Sequence, residues 1–171
     1  MDTVAISPAS LYTLIGTSRS PLVLDVRRAP AFDADSLLLA GALRPDADLA
    51  AFARRHCAGR PIVAYCVHGH EVSQEAARAL SQAGYDAAFL EGGIEAWRAA
   101  GLPTIRRRRD WRVPGGSRWI TRARPKIDRV ACPWLIHRFI DPLAGFDYVP
   151  TAQVFDEARQ ASMPPSRNAA S

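Results

Sequence analysis

A cysteine stands where an apolar run gives way to polar residues. The stretch 62–73 reads IVAYCVHGHEVS, and it places Cys66 at the end of a strand-like run, followed by Val67, His68, Gly69, His70 and Glu71. Three chemistries fit a thiol there: a nucleophile, a metal ligand, or a small buried side chain. The buried reading treats Cys66 as a compact hydrophobe and expects apolar neighbours after it, which His-Gly-His-Glu does not supply. The metal reading needs ligands at the pair spacings of structural zinc sites. C-x-H-x-H is not such a spacing, and Cys132 and His137 lie far along the chain. No metal is therefore expected, and His68 and His70 are read as lining the pocket mouth or facing solvent. The nucleophile reading asks for a loop whose N–H groups turn inward and for a helix whose positive end follows closely. Both favour thiolate over thiol. A thiolate so held can accept a sulfur atom and carry it as a persulfide, the amides stabilising the terminal anion. Gly69 fits a tight cradle that needs one residue without a Cβ.

The surrounding pattern supplies the elements that must hold such a loop. Residues 21–26 (PLVLDV), 60–66 (RPIVAYC) and 86–93 (DAAFLEGG) read as buried strands. Helices are expected over 7–16, with Ser7 as N-cap, Pro8 at the first position and Gly16 as the stop. Further helices are expected over 46–56, over 73–84 opening at Ser73, and over 94–103. Strands without polar alternation, interleaved with helices, predict a parallel α/β sheet covered on both faces. In such sheets ligands bind beyond the carboxyl ends of the strands, where Cys66 stands. Farther on, Trp134, Leu135 and Phe139 suggest a helix opening near Pro133 and ending before Pro142.

The 171 residues suffice for one domain with an appendage, and 48% hydrophobic content supports a packed core. Charge is divided unevenly. Residues 1–100 carry nine Arg against eleven acidic residues, a balance of −2; residues 101–171 carry twelve Arg and Lys126 against six, a balance of +7, which together give the chain's +5. The basic half invites an anion or nucleic acid but reads equally as a solvated linker, and nucleic acid is not an expected partner. No apolar run reaches the roughly 20 residues of a membrane helix. The amino terminus has no secretory pattern, so the expected compartment is the cytoplasm, without a membrane partner. Cys57, Cys66 and Cys132 are odd in number and lack framework spacing, which predicts free thiols. His56 and Cys57 read as a helix end with no function.

LVLDVRR and then RPIVAYCVHGHEVSQEAARALSQAGYDAAFLEGGIEAWRAAGLP resemble a rhodanese domain over about residues 5–105. The resemblance implies sulfane-sulfur transfer through Cys66, with 66–71 as the anion cradle and Asp25 and Arg27 supporting the fold beneath it. No cofactor is implied. Two departures bear on the donor. The family's loop resembles C-R-x-G-x-R-S/T, whereas Val67 and Glu71 replace both arginines here; the G-H-I-P-G-A stretch is reduced to SLLLAGAL, with Gly41 and Ala42 as its remnant. Glu71 is expected to repel a small anion such as thiosulfate, so a protein-bound persulfide or a neutral small donor fits better, with a protein as possible acceptor. A phosphatase or arsenate reductase would need an arginine closing the loop on a tetrahedral dianion, and positions 71 and 72 are Glu and Val. A non-catalytic redox or oxyanion sensor, reacting at Cys66 with chromate or an electrophile, is the alternative.

KIDRVACPWLIHRFIDP resembles the C-terminal domain of ChrB-type chromate-resistance proteins. Asp128, Arg129, Cys132, Trp134, Arg138 and Asp141 match that motif and are expected to pack and cap one helix. The resemblance fades after Val154, so only part of that domain is expected. The expected organisation is a rhodanese-like domain over 1–105, a basic linker over 106–118, a partial, mostly helical ChrB-like segment over 119–154, and a frayed tail over 155–171. The function expected is sulfur transfer associated with chromate resistance.

Overall fold

The computed structural model describes residues 3–45, 48–107, 117–124, 127–141 and 143–162. Its centre is a four-stranded sheet of β1 (Val4–Ile6), β2 (Leu22–Asp25), β4 (Ile62–Tyr65) and β5 (Ala87–Leu90), ordered β1-β5-β4-β2 and parallel throughout. Strands β2 and β4 are buried along their whole length, as unalternated apolar runs require when both faces are covered. Alternate residues feed opposite cores. Val23, Val63 and Tyr65 face one side with Leu11, Ile94 and Trp97. Leu22, Leu24 and Ile62 face the other with Phe52, Ala53, Cys57 and Leu80. The first group brings in α1 (Pro8–Leu14) and α5 (Gly93–Ala99), the second α3 (Leu49–His56) and α4 (Glu71–Gln82). The parallel α/β sheet with helices on both faces is the one expected.

Local chemistry sets the helix ends. The Ser7 side chain accepts from the Ser10 amide and Pro8 opens α1. The Asp48 side chain accepts from the Ala51 amide at 2.8 Å. Helix α4 begins at Glu71, two residues earlier than Ser73. A carboxylate is favourable in a first turn, so Glu71 belongs to the helix rather than to the loop.

Elements not foreseen are short. Up to residue 106 they are β1, α2 (Ala29–Ala34), β3 (Leu37–Leu39) and β6 (Thr104–Arg106), the last two forming an antiparallel pair. Strand β6 takes in Arg106, where a linker was expected to start; residues 108–116 of that linker lie outside the described residues.

The second segment pairs β7 (Arg118–Arg122) with β8 (Gly145–Val149) in parallel. Between them α6 runs over Ile127–Leu135 and passes into a π-helical turn over Ile136–Ile140. The helix thus opens six residues before Pro133 and carries that proline inside. Proline lacks the N–H that would continue the ladder, yet α6 continues through it to Leu135 before the π-helical turn begins. Helix α7 covers Val154–Ser162, where a frayed tail was expected from 155. Asp156 and Glu157 in its first turn complement the helix dipole. The rest of that tail, 163–171, lies outside the described residues.

The two segments touch. Gly41 N–H donates to the Phe139 carbonyl at 3.1 Å, and Arg138 donates to the Thr17 carbonyl. The Phe139 ring lies over Gly16, where any Cβ would stand 2.6 Å from it. Asp141 accepts from the Ser117 amide at 2.6 Å and from the Leu143 amide at 2.9 Å, tying β7 to the turn before β8. The carboxylate therefore holds β7 and this turn rather than capping the helix, which Asp141 closes through its backbone N–H on the Ile136 carbonyl at 2.8 Å. The side chains of Asp128 and Arg129 fall outside the described residues, and Cys132 is exposed.

Candidate active site

Cys66 lies one residue past the carboxyl end of β4 and is 7% exposed. Its carbonyl accepts from Ile94 N–H at 3.0 Å, and the Val67 carbonyl accepts from Glu95 N–H at 3.1 Å. The amino end of α5 therefore clamps the first two peptides of the loop. This contact explains the paired glycines of the LEGGIEAW stretch, since a Cβ on Gly93 would stand 2.5 Å from both the Cys66 and Val67 carbonyl oxygens.

Gly69 sits on the far side of the loop with φ +69°. A Cβ there would lie 2.5 Å from both the Leu90 carbonyl oxygen and the Gly92 nitrogen. The obstacle is backbone on both sides and cannot swing away. Gly69→Ala is expected to destabilise the domain by roughly 2 kcal/mol or more, from left-handed strain plus overpacking. Urea melts of the variant check the loss, and unchanged stability would show that the loop is not wedged against the β5–α5 turn.

The sulfur faces donors. Ser73 Oγ is 3.2 Å from Cys66 Sγ. Burial pushes the Cys66 thiol up, but the Ser73 hydroxyl and the Ser73, His68 and His70 amides bring it down, and the net pKa is lowered. The hydrogen bond seen at the sulfur itself is the one with the Ser73 hydroxyl, from the first turn of α4. His70 precedes that turn without a side-chain cap, which leaves the amides at the helix start available to an anion. The His68 and His70 rings are both exposed and meet edge to face at 6.2 Å. Glu71 is exposed on the first residue of α4, and Val67 is half-buried. Among the described residues no group of three or more His, Cys, Asp or Glu is placed to hold a metal ion.

Asp25 and Arg27 lie behind the loop. Asp25 pairs in register with Tyr65, the residue before Cys66. The Asp25 carboxylate takes Arg27 Nη2 at 2.6 Å and Nε at 3.0 Å, and accepts from Tyr65 Oη at 2.8 Å. Arg27 also reaches Asp35 at 2.9 Å and the Leu37 carbonyl at 3.0 Å, while Arg98 holds Asp35 from α5. Asp25 and Arg27 are 1% and 2% exposed, so they brace the sheet end and do not meet a ligand. Arg44 completes this frame by donating to the Arg27 carbonyl at 2.8 Å.

Sequence reasoning missed Ser73, Tyr65, Asp35, Arg98 and Arg44. A signal for Ser73 existed. With Ala77 and Leu80 it forms the buried stripe of α4, a spacing that turns a lone serine toward the sheet end. Nothing local marks the Asp35–Arg98 pair, whose partners are 63 residues apart. Cys57 is the C-cap of α3, as the reading of His56 and Cys57 as a helix end expected, and a core side chain whose Sγ donates to the Arg60 carbonyl at 2.7 Å.

The family described as Rhodanese-like domain matches residues 7–100, and that described as ChrB, C-terminal domain matches 119–164. Protein ChrB of Cupriavidus metallidurans is 40% identical over 105 residues, covering 59% of this chain and 31% of that protein. The chain therefore spans about a third of the length of this curated relative. Among solved structures, thiosulfate sulfurtransferase from Pseudomonas aeruginosa is 25% identical with a TM-score of 0.51, over 61% of this chain and 20% of that one. A Lactobacillus plantarum protein is 29% identical with a TM-score of 0.51, over 59% of this chain and 87% of that one. BH2092 from Bacillus halodurans shares the fold at 24% identity and a TM-score of 0.52, over 60% of this chain and 77% of that one. A parallel sheet ending in a cysteine loop, matched over more than half of the chain, places this protein in the rhodanese-like domain family, with a segment behind that domain that matches the ChrB C-terminal domain model.

Proposed function

We propose that this protein is a sulfurtransferase that carries sulfane sulfur on Cys66. The observation that supports it most is the sulfur just past the carboxyl end of β4, 3.2 Å from the Ser73 hydroxyl in a loop pinned by the amino end of α5. The Cys66 thiolate attacks the outer sulfur of a donor persulfide. The donor's S–S bond breaks and its electron pair leaves on the donor thiolate, while Cys66 becomes a persulfide. An acceptor thiolate then attacks the terminal sulfur and releases Cys66 as thiolate. The cycle is redox-neutral and needs no cofactor.

The donor class follows from charge. Residues 66–73 contain no Lys or Arg, and Glu71 opens the adjoining helix. A neutral small persulfide or a protein-bound one suits this cradle, and a protein thiol suits the acceptor. The resemblance of the second segment to ChrB-type chromate-resistance proteins supports a place in chromate resistance. Among the described residues no helix is long and apolar enough to cross a membrane.

Mass spectrometry of the full chain after incubation with cysteine persulfide tests the reading. The Cys66 peptide is expected to gain one sulfur atom, removable by cyanide. No removable sulfur would reject the transferase reading in favour of a non-catalytic redox or oxyanion sensor.

Glu71→Arg is expected to raise turnover with thiosulfate severalfold at low salt, with Glu71→Gln between the two. Opposite charge near the mouth helps an anionic donor, and the gain should fade as ionic strength rises because residue 71 is exposed. Turnover indifferent to residue 71 at low salt would remove Glu71 as the cause of donor preference.

A further inference from the structure

Ser73 is fully buried, and its one hydroxyl hydrogen has two partners. Ser73 Oγ is 3.2 Å from Cys66 Sγ and 3.2 Å from the His70 carbonyl oxygen. A hydroxyl has one hydrogen to give and two lone pairs to accept with. While Cys66 is a thiol, its S–H can donate to Ser73 Oγ and Ser73 can donate onward to His70. When the sulfur ionises, no S–H remains, and the strongest acceptor in reach is the thiolate. The His70 carbonyl is not stranded by the change, because Gln74 N–H also donates to it at 3.1 Å. A swing of one O–H therefore supplies a charge-assisted bond without leaving a buried acceptor unpaired.

We propose that Ser73 is the positioning residue that selects the thiolate of Cys66, its hydroxyl hydrogen passing from the His70 carbonyl to the sulfur as the thiol proton leaves to solvent. The proposal deepens the sulfurtransferase reading and rests on it for its purpose. Its geometry stands apart from any donor. The charged and titratable groups around the loop are His68, His70, Glu71 and Glu75 on the loop and α4, Glu91 and Glu95 at the β5–α5 turn, and Asp25, Arg27 and Tyr65 behind β4. Ser73 is the only hydroxyl whose bond to Sγ is seen among the described residues. It also ties the loop's closing end to the sulfur, seven residues along the chain.

The pH dependence of Cys66 alkylation by iodoacetamide, followed on the Cys66 peptide of the full chain, tests this. Cys57 and Cys132 serve as internal references, and thiolate absorbance gives a second measure of the same midpoint. The Ser73→Ala midpoint is expected to rise by about one pH unit, which slows alkylation about tenfold below both midpoints. Ser73→Thr, which keeps the hydroxyl, is expected to return the midpoint toward the wild-type value. An unmoved midpoint in Ser73→Ala, or an equal rise in Ser73→Thr, would overturn the proposal. Persulfide loading of the wild-type chain is measured alongside. A wild-type chain that takes no sulfur rejects the transferase reading, while the alkylation midpoint still decides the role of Ser73.

Discussion

Cys66→Ser is expected to abolish sulfur loading and turnover altogether, because a serine hydroxyl cannot form a persulfide. The substitution changes one atom in a site whose backbone is held by α5 through Ile94 and Glu95, so the fold should persist. Cys57→Ser and Cys132→Ser should keep most of the activity. Cys57 is buried in the core with its Sγ on the Arg60 carbonyl, and Cys132 is exposed on α6. Loading is read by mass and turnover by release of the donor thiol. Equal loss in all three variants would sink the single-thiol mechanism. The same chemistry fixes the pH response. The Cys66 pKa is lowered in the folded chain, so the rising limb of activity should lie at lower pH than the titration of an ordinary free thiol. The sign for stability is that of a carboxylate: the contribution of the thiolate is present above the unfolded pKa and is lost as pH falls through the folded one.

Asp25→Ala is expected to cost about 3–5 kcal/mol, because it strands the Arg27 guanidinium in the core. Arg27 is 2% exposed and would keep only Asp35 and the Leu37 carbonyl as partners. Tyr65 would lose its acceptor as well. Burial and the neighbouring Asp25 carboxylate raise its pKa well above the usual phenol range, so it stays a neutral donor. A domain of this size should melt lower by roughly 10 °C or more. The double variant Asp25→Leu with Arg27→Met separates the charge from the shape. Removing both charges leaves no buried charge without its partner, and such replacements are often close to neutral, although the Tyr65 hydroxyl loses its acceptor in both variants. The double variant should therefore be more stable than Asp25→Ala. Thermal and urea melts measure both. A double variant whose loss equals the sum of the two single losses would show that the pair is not coupled. Because Asp25 pairs in register with Tyr65, the residue before Cys66, the single variant should also slow sulfur loading at temperatures where it remains folded.

Much of this molecule follows from its sequence. Ser7 and Pro8 set the start of α1, and Asp48 the start of α3, because a cap needs only a side-chain oxygen a few residues from a free amide. The runs LVLD and IVAY declare buried strands because apolar residues without alternation have no polar face to give to water. Cys66 at the end of the second run, with Gly69 three residues on, marks the chemistry as local. Tertiary structure decided the rest. Strands β1, β3 and β6 have three residues each, too few to show a period, and exist only through their partners. Gly69 is required by the Leu90 and Gly92 backbone, which the loop itself does not contain. Asp35 meets Arg98 across 63 residues, and Phe139 settles over Gly16 from the far end of the chain. Such contacts leave no mark on the residues beside them, since burial and pairing are properties of the folded surface. Ser73 lies between these cases: its place on the buried stripe of α4 is written in the spacing, but only the packing of α4 against β4 brings its hydroxyl to the sulfur.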